Sequence, residues 1–223
     1  MSPTRENPPR SWTRTLLIAG ALALMATPVM ATSVLQFSFD ELVDHADLII
    51  GGRVVSAESR VESPDGRIAT YVRIVVLERI KGPDVGAELE LRFVGGTVGG
   101  ITLEVSDMVM PVVGETGIYF VESLRERQVN PLVGWSQGHF LERTDGNTGR
   151  PGIFTAAGKA VVGISHAASV VQRRQVLPGT GSALGVLTED APSPSRPAMS
   201  ATDFRNEIRR SVGALAPGQP VKP

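Results

Sequence analysis

The sequence predicts a mainly β fold, an antiparallel barrel of the OB type with a short helix before it and an amphipathic helix after it. Three observations lead there. Beyond Leu48 apolar residues recur at every second position, most cleanly in Glu88–Val94, where Leu89, Leu91 and Phe93 share one face and Glu88, Glu90 and Arg92 the other. Clusters of Gly, Pro, Asp and Ser separate these runs at short intervals, as turns between neighbouring strands require. Helical periodicity is confined to two short stretches, one on each side of the β runs.

Taken in chain order, Phe39, Leu42, Val43 and Ala46 fall at i, i+3, i+4 and i+7, and Ser38 with Glu41 has the spacing of a capping box, so a helix is expected to end near Asp47. Leu48–Ser59 reads as a strand rich in Ile and Val, closed by Ser63-Pro64-Asp65-Gly66, and Ile68–Ile80 returns as the second. Lys81-Gly82-Pro83-Asp84 leads into the third, Glu88–Val94. Gly95–Gly100 joins it to Ile101–Val105, and Gly117–Val121 follows a break at Met110-Pro111 and Val113-Gly114. A sixth strand is expected over Leu132–Arg143. Asp145-Gly146-Asn147 then supplies hairpin chemistry, and Gly152–Val162 runs back as a weaker strand interrupted by Gly158. Alternation of this kind leaves a closed barrel and a two-layer sandwich both open.

The two ends of the chain differ in texture from this middle. Arg5, Arg10 and Arg14 precede an uncharged apolar run, Leu16–Met25, and Pro28 and Val29-Met30-Ala31 follow it, the pattern of a secretory signal peptide cleaved between Ala31 and Thr32. The run is short of the roughly 20 residues a spanning helix needs, so no stable membrane anchor is expected after cleavage. Residues 32–164 read as the β-barrel domain, 165–200 as a Pro/Ser/Gly-rich linker, 201–215 as a C-terminal helix and 216–223 as a disordered tail. In that helix Phe204, Ile208, Val212 and Leu215 form one stripe; a lone helix of this length is marginal in water, so it is expected to dock on the barrel or on a partner.

Removing residues 1–31 takes away three arginines and one glutamate, which moves the formal net charge from −1 to −3. Nucleic-acid binding, which rests on clustered Lys and Arg, is not expected of such a chain. The sequence has no cysteine, which excludes thiol catalysis, Cys-based zinc sites and disulfides, so the core alone must hold an exported domain together.

The helix is followed by Ala46-Asp47-Leu48-Ile49-Ile50-Gly51-Gly52-Arg53-Val54-Val55, then by a strand ending in Arg79-Ile80-Lys81-Gly82, then by Leu91-Arg92-Phe93-Val94. This order resembles the netrin-like module, the OB-type barrel of the tissue inhibitors of metalloproteinases, and Gly117–Val121 sits where a later barrel strand of that module lies. The similarity covers roughly residues 38 to 145 and extends to a group of uncharacterised exported bacterial proteins. The resemblance implies a five-stranded barrel that binds another macromolecule. The chain departs from the family at the mature N-terminus, where those inhibitors place a disulfide-bonded cysteine against zinc and this sequence has Thr32.

Four patterns bear on chemistry. Gly134-Trp135-Ser136-Gln137-Gly138 matches the Gly-x-Ser-x-Gly nucleophile elbow, with Asp145 or Asp190 and His166 downstream. An elbow needs a helix after the serine, whereas His139–Arg143 continues as a strand, so the glycines read as a bend or bulge. Gly95, Gly96, Thr97, Gly99 and Gly100 open onto a strand and lack the Gly-Lys-Ser/Thr ending of a phosphate cradle; they form either a hairpin connection or a rim loop offered to a partner. Glu41 and His45 share a helix face, but two ligands do not make a metal site. Trp135, Gln137 and His139 project from one side of the sixth strand if it is regular, an aromatic beside hydrogen-bonding groups, with core packing of Trp135 as the competing reading.

The function expected is non-catalytic binding of a protein partner in the periplasm or outside the cell, an exported protease being one candidate. Its surface is expected at the glycine loop and at Trp135, Gln137 and His139, with no cofactor and no metal. The alternatives are a serine hydrolase using Ser136 and a structural component of an envelope assembly held through the C-terminal helix. Removal of residues 165–223 is expected to leave a barrel-borne binder with its partner and to cost an assembly component its association.

Overall fold

Ser38 starts the first helix as its spacing predicts. The computed structural model describes residues 33–146, 149–166, 176–179, 181–193 and 195–215. The expected signal peptide with its expected Ala31/Thr32 cleavage point, Asn147 of the predicted hairpin turn and residues 216–223, expected as a tail, lie outside the described residues.

Strand β1 (Ser33–Leu35) precedes helix α1 (Phe39–His45). In the cap, Ser38 Oγ accepts from Glu41 N at 3.2 Å and Glu41 Oε2 accepts from Ser38 N at 2.8 Å, so two N–H groups without helical partners are satisfied reciprocally. The long strands β2 (Leu48–Val61) and β3 (Ile68–Lys81) follow, then β4 (Glu88–Val94). Next come the short hairpin β5 (Gly96–Val98) and β6 (Ile101–Leu103), and β7 (Thr116–Val121). The predicted sixth strand begins later than expected, as β8 (His139–Thr144), because residues 135–138 form a single 3-10 turn. The stretch predicted as one weak strand is a hairpin, β9 (Pro151–Thr155) and β10 (Ala160–Ile164), turning at Gly158. Strands β11 (Val176–Pro178) and β12 (Val186–Glu189) and helix α2 (Ala201–Leu215) complete the order.

Eight strands make one sheet in the order β12-β10-β9-β8-β7-β2-β3-β4, with every ladder antiparallel. The fold is therefore mainly β and antiparallel, with a short helix near its start and a longer one at its end. Strands β4 and β12 stand at the two ends of the ladder, each hydrogen-bonded to one strand only.

Because successive side chains point to opposite faces of a strand, β2 feeds two cores. Leu48, Ile50 and Val54 join Val72, Ile74, Phe93 and Tyr119 on one face, where Met108 and Met110 pack against them. Ile49 joins Phe120, Phe140 and the buried side chains of α1 and α2 on the other. The first five residues of β2 are therefore buried on both faces, and their run Leu-Ile-Ile-Gly-Gly shows no alternation.

Two stretches beyond residue 164 pack on the sheet, one where a linker is expected and one where a docked helix is. Within 165–200, read as a linker, Val186–Glu189 forms an end strand of the main sheet, pairing Ala160–Ile164, and Val186 is buried in the helix-side core. Its four residues are too few for periodicity to register among the surrounding Gly, Ser and Pro. Helix α2 docks on the same core through Phe204 and Ile208, both fully buried. Cutting the chain at 165 thus removes strands β11 and β12 and the core side chains Ala183, Val186, Phe204 and Ile208, and such a truncation tests folding before it tests association.

Candidate binding surface

The glycine loop forms a tight hairpin. Gly96, Thr97 and Val98 pair Leu103, Thr102 and Ile101, with Gly99 and Gly100 at positive φ of 58° and 82° at its tip. At the base, Thr70 Oγ1 donates to Gly95 O at 2.7 Å and lies 3.0 Å from Ser59 Oγ. A Cβ on Gly96 would overlap both hydroxyls, and its φ of 129° is one that L side chains avoid, so glycine is required there by a close approach of strands. Gly95 is buried, whereas Thr97, Gly99 and Gly100 are exposed.

The three residues predicted to share one face of a strand do not. Gly134 and Trp135 take left-handed backbone, φ 56° and 61°, which breaks the extended run and starts the 3-10 turn. Trp135 is half-buried with its ring against Gly179. Gln137 and His139 are each 1% exposed, so neither belongs to a binding surface. Gln137 acts as a clamp on the entering chain: its Oε1 accepts from Phe37 N at 2.9 Å and its Nε2 donates to Leu35 O at 2.9 Å. His139 stacks on Tyr119 with ring centroids 5.4 Å apart, and its Nε2 lies 2.5 Å from Glu115 Oε1. Tyr119 OH donates to the same carboxylate oxygen at 3.1 Å, and burial pushes the Tyr119 phenol up from its ordinary value.

Ser136 is buried within the turn. Its hydroxyl is 2.5 Å from Gly179 O and 2.9 Å from Gly181 O, so its proton is held between two carbonyls and its role is to tie Gly179 and Gly181 to the 3-10 turn. The histidines beyond it are engaged elsewhere, His139 with Glu115 and His166 with Asp40 and Glu207. The elbow geometry of strand, nucleophile and following helix is not formed. Glu41 and His45 are likewise engaged separately, Glu41 in the helix cap and His45 with Glu41 O through Nδ1 and edge-on to Phe37.

The surface that the sequence did not single out lies at the outer edge of β4. Val76 N donates to Ala87 O and Gly95 N to Ile68 O, while Val94 N turns the other way and donates to Val129 O at 2.9 Å. This phase directs the backbone groups of Leu89, Leu91 and Phe93 toward β3 and those of Glu88, Glu90 and Arg92 away from it. Among the described residues only Val94 has an outward backbone partner on that edge.

The segment Ser123–Gln128 arches beside the edge and leaves a cleft of about 290 Å³, lined by Leu89, Glu90, Arg92, Leu124, Gln128 and Pro131 among others. One wall is rigid. Arg92 donates to both oxygens of Glu62, Nε to Oε1 at 2.6 Å and Nη2 to Oε2 at 2.5 Å, and to Gln128 O at 3.1 Å. Tyr71 OH donates to Glu62 Oε1 at 2.6 Å. The Arg92 guanidinium, with the Tyr71 hydroxyl, holds the Glu62 carboxyl at about 2, well below its ordinary range, and the pairing raises Arg92 and Tyr71. The other wall carries exposed Leu124, Arg125, Glu126 and Arg127, and Gln128 Oε1 is buried without a hydrogen-bond partner.

Alternation along 88–94 reveals a strand and its two faces. Which lateral edge stays open is decided by the neighbours, and β4 acquires that status only because β3 pairs on one side and the 123–131 segment touches the other at Val94. No protein-family model matches the chain, and neither curated proteins nor solved structures match it.

Proposed function

We propose that the protein is an exported, non-catalytic module that binds a protein partner, an exported protease being among the candidates. The observation that carries this reading is the outer edge of β4, where backbone donors and acceptors adjoin an open cleft with apolar and charged walls. Unpaired strand edges are templates for other chains, and proteins that do not use them usually cover them. The hydroxyl and imidazoles that a hydrolase would use are committed to internal contacts. The apolar stripe of α2, on which an envelope-assembly role would depend, faces the core at Phe204 and Ile208. The N-terminal signal pattern supports export.

Affinity capture from culture fluid and envelope extract, followed by mass spectrometry, tests the reading. Wild type and Ser136→Ala are expected to retain the same partner and to resist a serine-directed probe. Probe labelling that disappears in Ser136→Ala would replace binding with hydrolysis.

A further inference from the structure

Side chains on the β4 edge describe the strand that would complete it. On the solvent face Arg73 sits across from Glu90 in the β3–β4 register, and its Nε lies 3.8 Å from Glu88. Glu88 thus has Arg73 on the inner side, Glu90 lies in the field of Arg60 and lines the cleft, and both carboxylates are exposed. On the core face half-buried Leu89 and buried Leu91 continue the apolar lining toward Leu124 and Pro131 of the cleft. An added strand would therefore place cationic side chains beside Glu88 and Glu90 and apolar ones beside Leu89 and Leu91, because its side chains alternate with the same period.

A second copy of this chain fits the edge poorly. Antiparallel self-pairing that avoids the Val94 groups held by Val129 opposes Glu88 to Glu90 or Glu88 to Glu88 in two registers; in the third Glu90 meets Glu90 while Glu88 faces an Arg92 whose guanidinium is already held by both oxygens of Glu62. Like charges directly opposite destabilise a sheet and act as a guard against self-association.

Resting on the protein-binding reading above, we propose that the β4 edge, from Glu88 to Arg92, takes up an extended segment of the partner with alternating apolar and Lys/Arg side chains as an added antiparallel strand. The outward N–H and C=O groups of Glu88, Glu90 and Arg92 supply the ladder. The end of the segment enters the cleft beside Leu124 and Pro131.

The test uses the purified protein and two seven-residue peptides, one alternating valine with lysine and one alternating valine with glutamate. The lysine peptide is expected to bind at least tenfold more tightly. It should also slow hydrogen exchange at the amides of Glu88, Glu90 and Arg92, and the preference should reverse in Glu88→Lys/Glu90→Lys. Glu90→Pro, which removes an outward N–H, should abolish binding; if that variant does not fold, the charge reversal carries the test. Three results would overturn the proposal: no change at those amides with millimolar peptide, equal binding of the two peptides, or concentration-dependent protection of the same amides without peptide, which would mark a dimer. Partner capture that survives Glu88→Lys/Glu90→Lys would reject the strand-addition site while leaving protein binding intact. Failure of both peptide binding and capture would reject both.

Discussion

His166 is the side chain whose chemistry most directly ties separate parts of the molecule together. Its Nδ1 is 2.8 Å from Asp40 on α1 and its Nε2 3.0 Å from Glu207 on α2, while Ser211 donates to Asp40 and Arg210 pairs with Glu207. Glu207 first, and Asp40 with it, raise the His166 imidazole above its ordinary value. The bridge therefore contributes stability fully below the unfolded-state value of 6.5 and loses it as pH rises through the higher folded-state value. Urea midpoints measured across about pH 5 to 9 should fall over that window in the wild type and run flatter in His166→Asn. Glu62 has the opposite sign: its contribution is present above 4.5 and lost as pH falls through about 2, so Glu62→Gln should flatten the acid limb. Gln137→Leu would leave Phe37 N and Leu35 O without their partner, and a loss of about 2–4 kcal/mol in urea unfolding is expected. None of these partnerships was legible in the sequence. Counting twos along a regular strand puts Gln137 and His139 on one face with Trp135, and the count fails because two left-handed residues at 134 and 135 reset the phase.

At the level of elements, local chemistry was legible wherever it was self-contained. The Ser38–Glu41 capping box, the strict alternation of β4 and the glycine hairpin after it depend on residues a few positions apart, and all three form. Replacing Gly96 with alanine would force Ser59 and Thr70 apart and break the bond from Thr70 to Gly95 O and that from Thr97 N to Ser59. A lowered melting temperature is expected, whereas Gly99→Ala and Gly100→Ala, which meet nothing, pay only for backbone conformation. The stripe of helix α2 predicts docking on the barrel or on a partner, and the structure places it on the core. With Phe204 in edge and tilted contact with Phe39 and Phe140, Phe204→Ala should cost about 3–5 kcal/mol in urea unfolding. Removal of 201–223 should yield an expanded state that binds a hydrophobic dye. The short strand β12 was missed because four residues among Gly, Pro and Ser carry too little pattern, and its pairing partner β10 lies more than twenty residues earlier.

For the molecule as a whole, β2 joins the two cores, since Ile49 enters one while Leu48 and Ile50 enter the other. The two cores should therefore unfold together. Trp135 is the sole tryptophan beyond residue 31, so its fluorescence and the far-ultraviolet circular dichroism should report one coincident urea transition; separate midpoints would show that the cores are independent. The candidate surface also belongs to this scale, because an edge exists only relative to the strands that do or do not pair beside it. The sequence by itself determined the mainly β, antiparallel, cysteine-free character of the chain, its first helix and the apolar faces of its strands, since side-chain period and cap spacing act over neighbouring residues. Tertiary structure alone decided that Ser136, Gln137 and His139 are internal ties, that α2 closes a core, and that β4 keeps an open edge. Those outcomes rest on contacts between residues distant along the chain, and no local pattern encodes which distant group arrives.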